Sequence, residues 1–317
     1  MEAYEKNLFY LPYIKLGHFF QRAYRISGDK KYLNLLCSFF LLIKIPEVKK
    51  QLLQLKKGQF PLEKIQGKSK KIRKQKRIDF YAKNPKARFY DAFLVSLFFL
   101  REFGFEKILA KEFAEALSYL KKEDFEKIYL NEEAIKYDSS YAFNSAIFLK
   151  HFKIVNFAPK MEKMLKDIYI NKELKLKKQL PDYEFKSLIY SLTHIIISDS
   201  KFYGRYVSSH KWIVDFFENN IDLIIERVSF DILSEVALCF KLCRKEKAYE
   251  KEYKKILEFL LSAKYSDKLS DVKFLIKKEH TNSILMLLYA DIDKFYSKPN
   301  MDGIIKNNFE NYVKILS

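Results

Sequence analysis

Acid/base chemistry needs titratable side chains held away from water, so polar residues set inside apolar runs are the first to consider. The run Thr193-His194-Ile195-Ile196-Ile197-Ser198-Asp199-Ser200-Lys201-Phe202-Tyr203-Gly204-Arg205 has that character. His194 lies near the end of an apolar segment. Asp199 and Arg205 fall in the loop expected after it. A carboxylate beside a buried imidazole would tune it as an acid or base, and the planar fork of Arg205 suits an anion. Glu279-His280-Thr281-Asn282, at the start of another apolar stretch, brings a second imidazole. The expectation is one pocket, with His194, Asp199 and His280 as catalytic groups and Arg205, Tyr203, Trp212 and Asn282 as ligand contacts. The purely structural alternatives are a core histidine bonded to a backbone carbonyl, a loop pinned by Asp199 and Arg205, and helix capping by the 279–282 set. Asp138-Ser139-Ser140-Tyr141 reads as a helix cap only.

A second kind of chemistry is suggested by charge. The chain has 317 residues, 59 Lys and Arg against 40 Asp and Glu, and a formal net charge of +19. Lys-, Phe- and Tyr-rich usage with little glycine is also what an AT-rich genome writes. The charge is concentrated, however, in residues 47–88. Lys68, Lys70, Lys71, Arg73, Lys74, Lys76 and Arg77 form a run that could grip a phosphate backbone, another acidic partner or an anionic membrane surface. Such a run also repels itself and suits a solvated loop.

Other chemistries leave no mark. No phosphate-binding glycine loop, dinucleotide fingerprint, zinc pair or nucleophile elbow is found, so no metal or cofactor is expected. Cys37, Cys239 and Cys243 are odd in number and lie in apolar surroundings, as reduced core thiols do. The N-terminus lacks a basic segment followed by an apolar run, and no stretch reaches transmembrane length. A cytoplasmic location is therefore expected.

The elements that must position these residues read as helices. Glycine and proline number only 7 each, too few for a fold made of strands and tight turns. Residues 3–26 form a first helix, with Gly28 as its stop and Asp29 as the next cap. Pro46 opens a third helix, and helical periodicity resumes after Pro85. Residues 209–228 are cleanly amphipathic, whereas 185–197 and 232–242 are apolar nearly all round. That alternation predicts an all-α fold of antiparallel helical hairpins in two layers, an α/α toroid or an irregular α-solenoid. The expected organisation is an N-terminal helical subdomain (1–56), an exposed basic connector (57–84) and a main helical domain (85–317).

Several of these motifs together resemble an uncharacterised bacterial all-helical family. They are Thr193-His194-Ile195-Ile196-Ile197-x-Asp199-Ser200-x-Phe202-Tyr203-x-Arg205, Trp212-Ile213, Glu279-His280-x-Asn282, and Asn84-Pro85 followed by Arg88-Phe89-Tyr90. The resemblance spans roughly residues 84–292. It implies that these residues act as a set and implies no reaction. The architecture is distantly similar to the α/α toroids of terpene cyclases, lanthionine cyclases and some glycoside hydrolases, whose carboxylates and metal ligands have no counterpart picked out here. Arg205 and His210, at R-x4-H spacing, resemble the ribonuclease motif of HEPN domains, which would imply RNA cleavage. Ser208-Ser209 between them reads as a helix cap and places Arg205 in the preceding loop.

The leading functional expectation is thus a polar pocket for a small polar or anionic ligand, with acid/base catalysis left open. The alternative is a basic helical scaffold that binds nucleic acid or another acidic partner through residues 49–88. The HEPN-like nuclease is a remote third. Oligomeric state is not legible.

Overall fold

A computed structural model describes residues 1–60, 69, 71–171, 180–262, 268, 270–290, 296, 301 and 303–306. Among these residues the regular structure is helical and no strand occurs, so the fold is all-α. After α1 (Glu2–Glu5) come α2 (Tyr13–Ser27) and α3 (Lys30–Phe39). Gly28 ends α2 in the left-handed conformation, φ +65°, and Asp29 caps α3 by accepting from the Lys31 N–H. A π-turn at Phe40–Lys44 leads to α4 (Ile45–Lys56), with Pro46 in its first turn.

The expected exposed connector is partly a helix. Ile72–Lys83 form α5, in which Phe80 and Tyr81 are buried. Its cations lie over aromatic faces: Arg73 over Tyr190, Lys76 over Tyr137 and Arg77 over Tyr141. The negative ring faces offset the repulsion that would otherwise hold so basic a segment in solvent. Lys68 and Lys70 lie outside the described residues.

The chain continues through α6 (Pro85–Glu102), α7 (Ala110–Ser118), α8 (Lys122–Tyr129), α9 (Ser139–His151), α10 (Ala158–Leu165) and α11 (Asp182–Asp199). It ends with α12 (Lys211–Asn219), α13 (Ile221–Arg227), α14 (Phe230–Leu242), α15 (Glu250–Ser262) and α16 (Val272–Tyr289). The single helix expected over 209–228 is therefore two. The break is at Asn220, whose side chain donates to the Phe216 carbonyl, the local competition with the backbone that ends helices. α16 begins well before the 279–282 set, and Asp271 supplies its cap. Glu279, His280, Thr281 and Asn282 are therefore mid-helix residues and cap nothing.

α6 packs against α9, α9 against α11, α11 against α14, α14 against α16, and α16 against α2. α9, α11 and α14 are buried along most of their length and need neighbours on every side. α3, α4, α10 and α15 pack on α2, α6, α9 and α14 respectively. Buried residues from both sides of 57–84 belong to one hydrophobic cluster. Cys37, Cys239 and Cys243 are buried and form no disulfide among the described residues. Among the described residues no helix is long and apolar enough to cross a membrane.

Candidate functional site

The helices surround a cavity of about 560 Å³. α2, α5, α6 and α9 each turn a stripe toward it at helical spacing. α5 contributes Lys74, Arg77, Ile78 and Tyr81, and α9 contributes Tyr141, Asn144, Ser145 and Phe148. α6 adds Arg88, Asp91 and Phe99, α2 adds His18 and Arg22, and α11, α14 and α16 add His194, Glu235 and His280. The two histidines singled out in the sequence thus share one cavity.

Their roles differ. His194 Nδ1 lies 3.1 Å from Asn144 Oδ1. With the amide oxygen placed toward the ring, Nδ1 must carry the hydrogen and Nε2 holds the lone pair. Nε2 is buried and has no hydrogen-bond partner. Burial, the largest influence, pushes the His194 pKa down, so the ring is neutral near pH 7. His280 has both nitrogens occupied. Its Nε2 is 2.9 Å from Glu235 Oε1, and its Nδ1 is 3.1 Å from an Arg22 nitrogen. A guanidinium only donates, so Nδ1 accepts and Nε2 carries the hydrogen given to Glu235.

Glu235 is completely buried and also accepts from the Thr193 hydroxyl at 2.7 Å. Burial raises its pKa, but the His280 hydrogen bond and the two nearby imidazoles more than offset this, and the net shift is downward. Arg22 donates to Glu279 Oε1 at 3.3 Å, and His18 lies 3.7 Å from Oε2. Burial again opposes ionisation, yet these partners hold Glu279 at about 2.

Asp91, which lines the cavity, forms an acid pair with Asp138, which does not. Tyr129 and Ser145 hydroxyls donate to Asp91 Oδ1 at 2.6 and 2.9 Å. The Tyr81 hydroxyl lies 3.0 Å from Asp91 Oδ2 and 2.9 Å from Asp138 Oδ1. A phenol has one proton and cannot donate to two carboxylates, so one acid must be protonated. Asp91 already has two other donors and remains the anion. Asp138 therefore carries the proton and donates it to the Tyr81 oxygen. Burial pushes the pKa values of both acids up, and the adjacent Asp91 charge pushes that of Asp138 well up, in the same sense. Asp138 is thus no helix cap: its side chain makes no capping bond to α9.

One wall is built under strain. Lys201, Phe202 and Tyr203 are consecutive non-glycine residues with φ of 58°, 52° and 70°. L-residues adopt this left-handed turn at a cost of roughly 1–2 kcal/mol each. The turn is held from several sides. Ser200 Oγ accepts from the Tyr203 N–H, Lys201 pairs with Glu102 at 2.7 Å, and buried Arg25 donates to the Lys201 carbonyl. The result is that Phe202 and Tyr203 line the cavity.

The remaining expected residues lie elsewhere. Asp199 is not the partner of His194. Its carboxylate binds Arg205 at 2.6 Å and His210 at 3.0 Å, which overcome burial and hold it well below the carboxylate range. Neither Asp199 nor Arg205 lines the cavity, because the α11 C-terminus directs both into the loop that Asp199 pins. Arg205 and His210, the R-x4-H pair, are thus held by one carboxylate. Trp212 packs under Lys166, and Asn282 donates to the Tyr4 hydroxyl. Of the basic run, Lys74 and Arg77 line the cavity, Arg73 and Lys76 stack on tyrosines, and Lys71 is exposed. Other cations of residues 49–88 are paired internally: Lys49 with Glu112, Lys56 with Glu115, Lys83 with Glu133 and Lys86 with Asp124.

A family model, the domain of unknown function DUF3541, matches residues 1–306. The chain belongs to this family. No curated protein and no solved structure matches it. The family match begins at the first residue, so the DUF3541 unit includes the N-terminal helices as well as the 84–292 stretch that carried the sequence resemblance. This agrees with the cavity, whose wall includes His18 and Arg22 of α2.

Within this DUF3541 chain, the sequence reading missed Arg22, Asp91 and Glu235 and gave Asp138 only as a helix cap. The available signal was an acid inside an apolar helix: Asp91 in Phe89-Tyr90-Asp91-Ala92-Phe93 and Glu235 in Leu233-Ser234-Glu235-Val236-Ala237. Acids are almost never fully buried without a partner, so each such position implies one. Among the described residues no group of three or more His, Cys, Asp or Glu is placed to hold a metal ion.

Proposed function

We propose that the protein binds a small anionic ligand in the central cavity and that His194 acts there as a general base. The observation that carries this reading is the unpartnered His194 Nε2 at the wall of a cavity of about 560 Å³ that also contains Lys74 and Arg77. A neutral imidazole with a free lone pair accepts a proton from a ligand hydroxyl or a bound water. Asn144 fixes the tautomer. His280 acts through other groups: it joins Glu235 to Arg22 and keeps both aligned at the wall. The successive packing of α6, α9, α11, α14, α16 and α2 supports an α/α-toroid arrangement with the ligand near its middle. Three buried cysteines outside disulfides suit a reducing compartment, and we place the protein in the cytoplasm.

The test is a thermal-shift and calorimetric screen of small carboxylates, phosphates, sulfates and neutral analogues. Ala92 lines the cavity, so Ala92→Phe fills space there and should abolish binding. His194→Gln should leave affinity within severalfold and remove any turnover. Binding that is indifferent to Ala92→Phe rejects the cavity as the site.

A further inference from the structure

We infer that the ligand is a phosphomonoester, its phosphate against α5 and a ring-sized body against the opposite aromatic wall. The inference rests on the cavity reading above. Lys74 and Arg77 stand one turn apart on the cavity face of α5. Among the described residues no carboxylate forms an ion pair with either. Arg77 stacks on Tyr141 at 4.9 Å. The acid nearest in the network is Asp138, which the contacts of Tyr81, burial and the Asp91 charge favour in its protonated, uncharged form.

Two adjacent cations without a carboxylate between them match a dianion better than a single carboxylate ligand, which one guanidinium would satisfy bidentately. A phosphomonoester carries about −1.5 to −2 at pH 7 and offers three acceptor oxygens. Arg77 also borders a small annex of about 20 Å³ shared with Arg73, Ser139 and Ser140. That is room for roughly one water or one oxygen atom, among groups that donate hydrogen bonds. The far wall is of a different kind. Phe99, Phe148, Phe202 and Tyr203 offer flat apolar surface, and two of them sit in the strained turn at 201–203. A ligand spanning both walls has an anionic end and a planar body. Its polar edge would face His194 Nε2, which accepts a hydrogen bond.

The experiment is calorimetry at neutral pH with phenyl phosphate and benzoate, which share a ring and differ in charge. Phenyl phosphate should bind at least tenfold more tightly, and more weakly as salt rises. Lys74→Gln and Arg77→Gln should each cost phenyl phosphate about tenfold, and Lys74→Gln should leave benzoate, which Arg77 alone can hold, little changed. Arg77→Lys, which keeps the charge, should lose less. Circular dichroism and the melting temperature verify that each variant is folded. Equal binding of the two anions, or phenyl phosphate binding untouched in the folded double variant, overturns the phosphomonoester. If other members of the screen bind and Ala92→Phe blocks them, the phosphate class falls and the cavity reading stands. If nothing binds, both fall.

Discussion

The phenolic oxygen of Tyr81 lies 2.9 Å from Oδ1 of Asp138, and the same oxygen also faces Asp91. One proton between two acids makes the pair asymmetric, and the asymmetry can be measured. Asp138→Asn keeps a neutral donor toward Tyr81 and should leave the melting temperature at pH 7 unchanged or higher. Asp91→Asn removes the charged acceptor of three hydroxyls and should cost on the order of 3 kcal/mol. The sign follows from linkage. The folded-state pKa of Asp138 is raised, so its contribution is fully present below the unfolded value near 3.9 and declines as pH rises through the folded pKa. Any advantage of Asp138→Asn should therefore grow from acid toward neutrality. Urea melts at several pH values measure it, and greater damage from Asp138→Asn than from Asp91→Asn would put the proton on Asp91 instead.

Glu102 and Glu279 predict the opposite slope. Burial disfavours both carboxylates, but His151 and Lys201 hold Glu102 at about 2, and His18 and Arg22 hold Glu279 at about 2. A depressed carboxylate stabilises the fold above its unfolded pKa, near 4.3, and that stability is lost as pH falls through the folded value. His194 adds an earlier loss. Its folded pKa lies below the unfolded 6.5, so its neutral-form contribution starts to fade as pH drops past that point. Stability should thus begin to decline below about pH 6.5 and fall steeply between about 4.3 and 2. A melting temperature that is flat from pH 7 to 3 would contradict this reading of the ion pairs.

The two cavity histidines should separate in their effects. His280→Ala leaves buried Glu235 with the Thr193 hydroxyl but without the His280 donor, and removing a donor from a buried charged acceptor costs about 1.5–3 kcal/mol. His194→Gln has no such consequence, since Nε2 already lacks a partner and the amide can still meet Asn144. It should cost under about 1 kcal/mol and act on ligand chemistry instead. Chemical denaturation gives the stabilities. A His194→Gln loss as large as that of His280→Ala would mean that His194 is a core residue.

This contrast shows how far the sequence could be read. Helical class, the Gly28 stop and the Asp29 cap follow from local chemistry, and they are legible because each is decided within a few residues. His194 and His280 stood out as imidazoles in or beside apolar runs, and both line the cavity. Their distinct roles were not legible, because these depend on Asn144, Glu235 and Arg22, which lie 50, 45 and 258 residues away in the chain. Asp199 was misassigned for the converse reason. Its neighbourhood in the sequence includes His194, but at the end of α11 the side chain turns to Arg205 and His210. The helix at 72–83 was hidden by its charge, since the rings that receive Arg73, Lys76 and Arg77 come from Tyr190, Tyr137 and Tyr141.

The strained turn yields the last prediction. A Cβ on Gly204 would lie 2.6 Å from Arg25 Nη1. A flexible arginine could swing aside, but Arg25 is fully buried, sits over the Phe103 ring and donates to the Lys201 carbonyl. Gly204→Ala must therefore displace either that side chain or the turn itself. Overpacking of this kind costs about 1–3 kcal/mol. The turn carries Phe202 and Tyr203 into the cavity, so ligand affinity should fall along with stability. Gly58→Ala serves as a control: its φ of +63° strains any substitution, but nothing lies within 4 Å of the added carbon. It should lower the melting temperature slightly and leave affinity alone. If Gly204→Ala destabilises the protein while binding is unchanged, the turn supports the fold and does not shape the site.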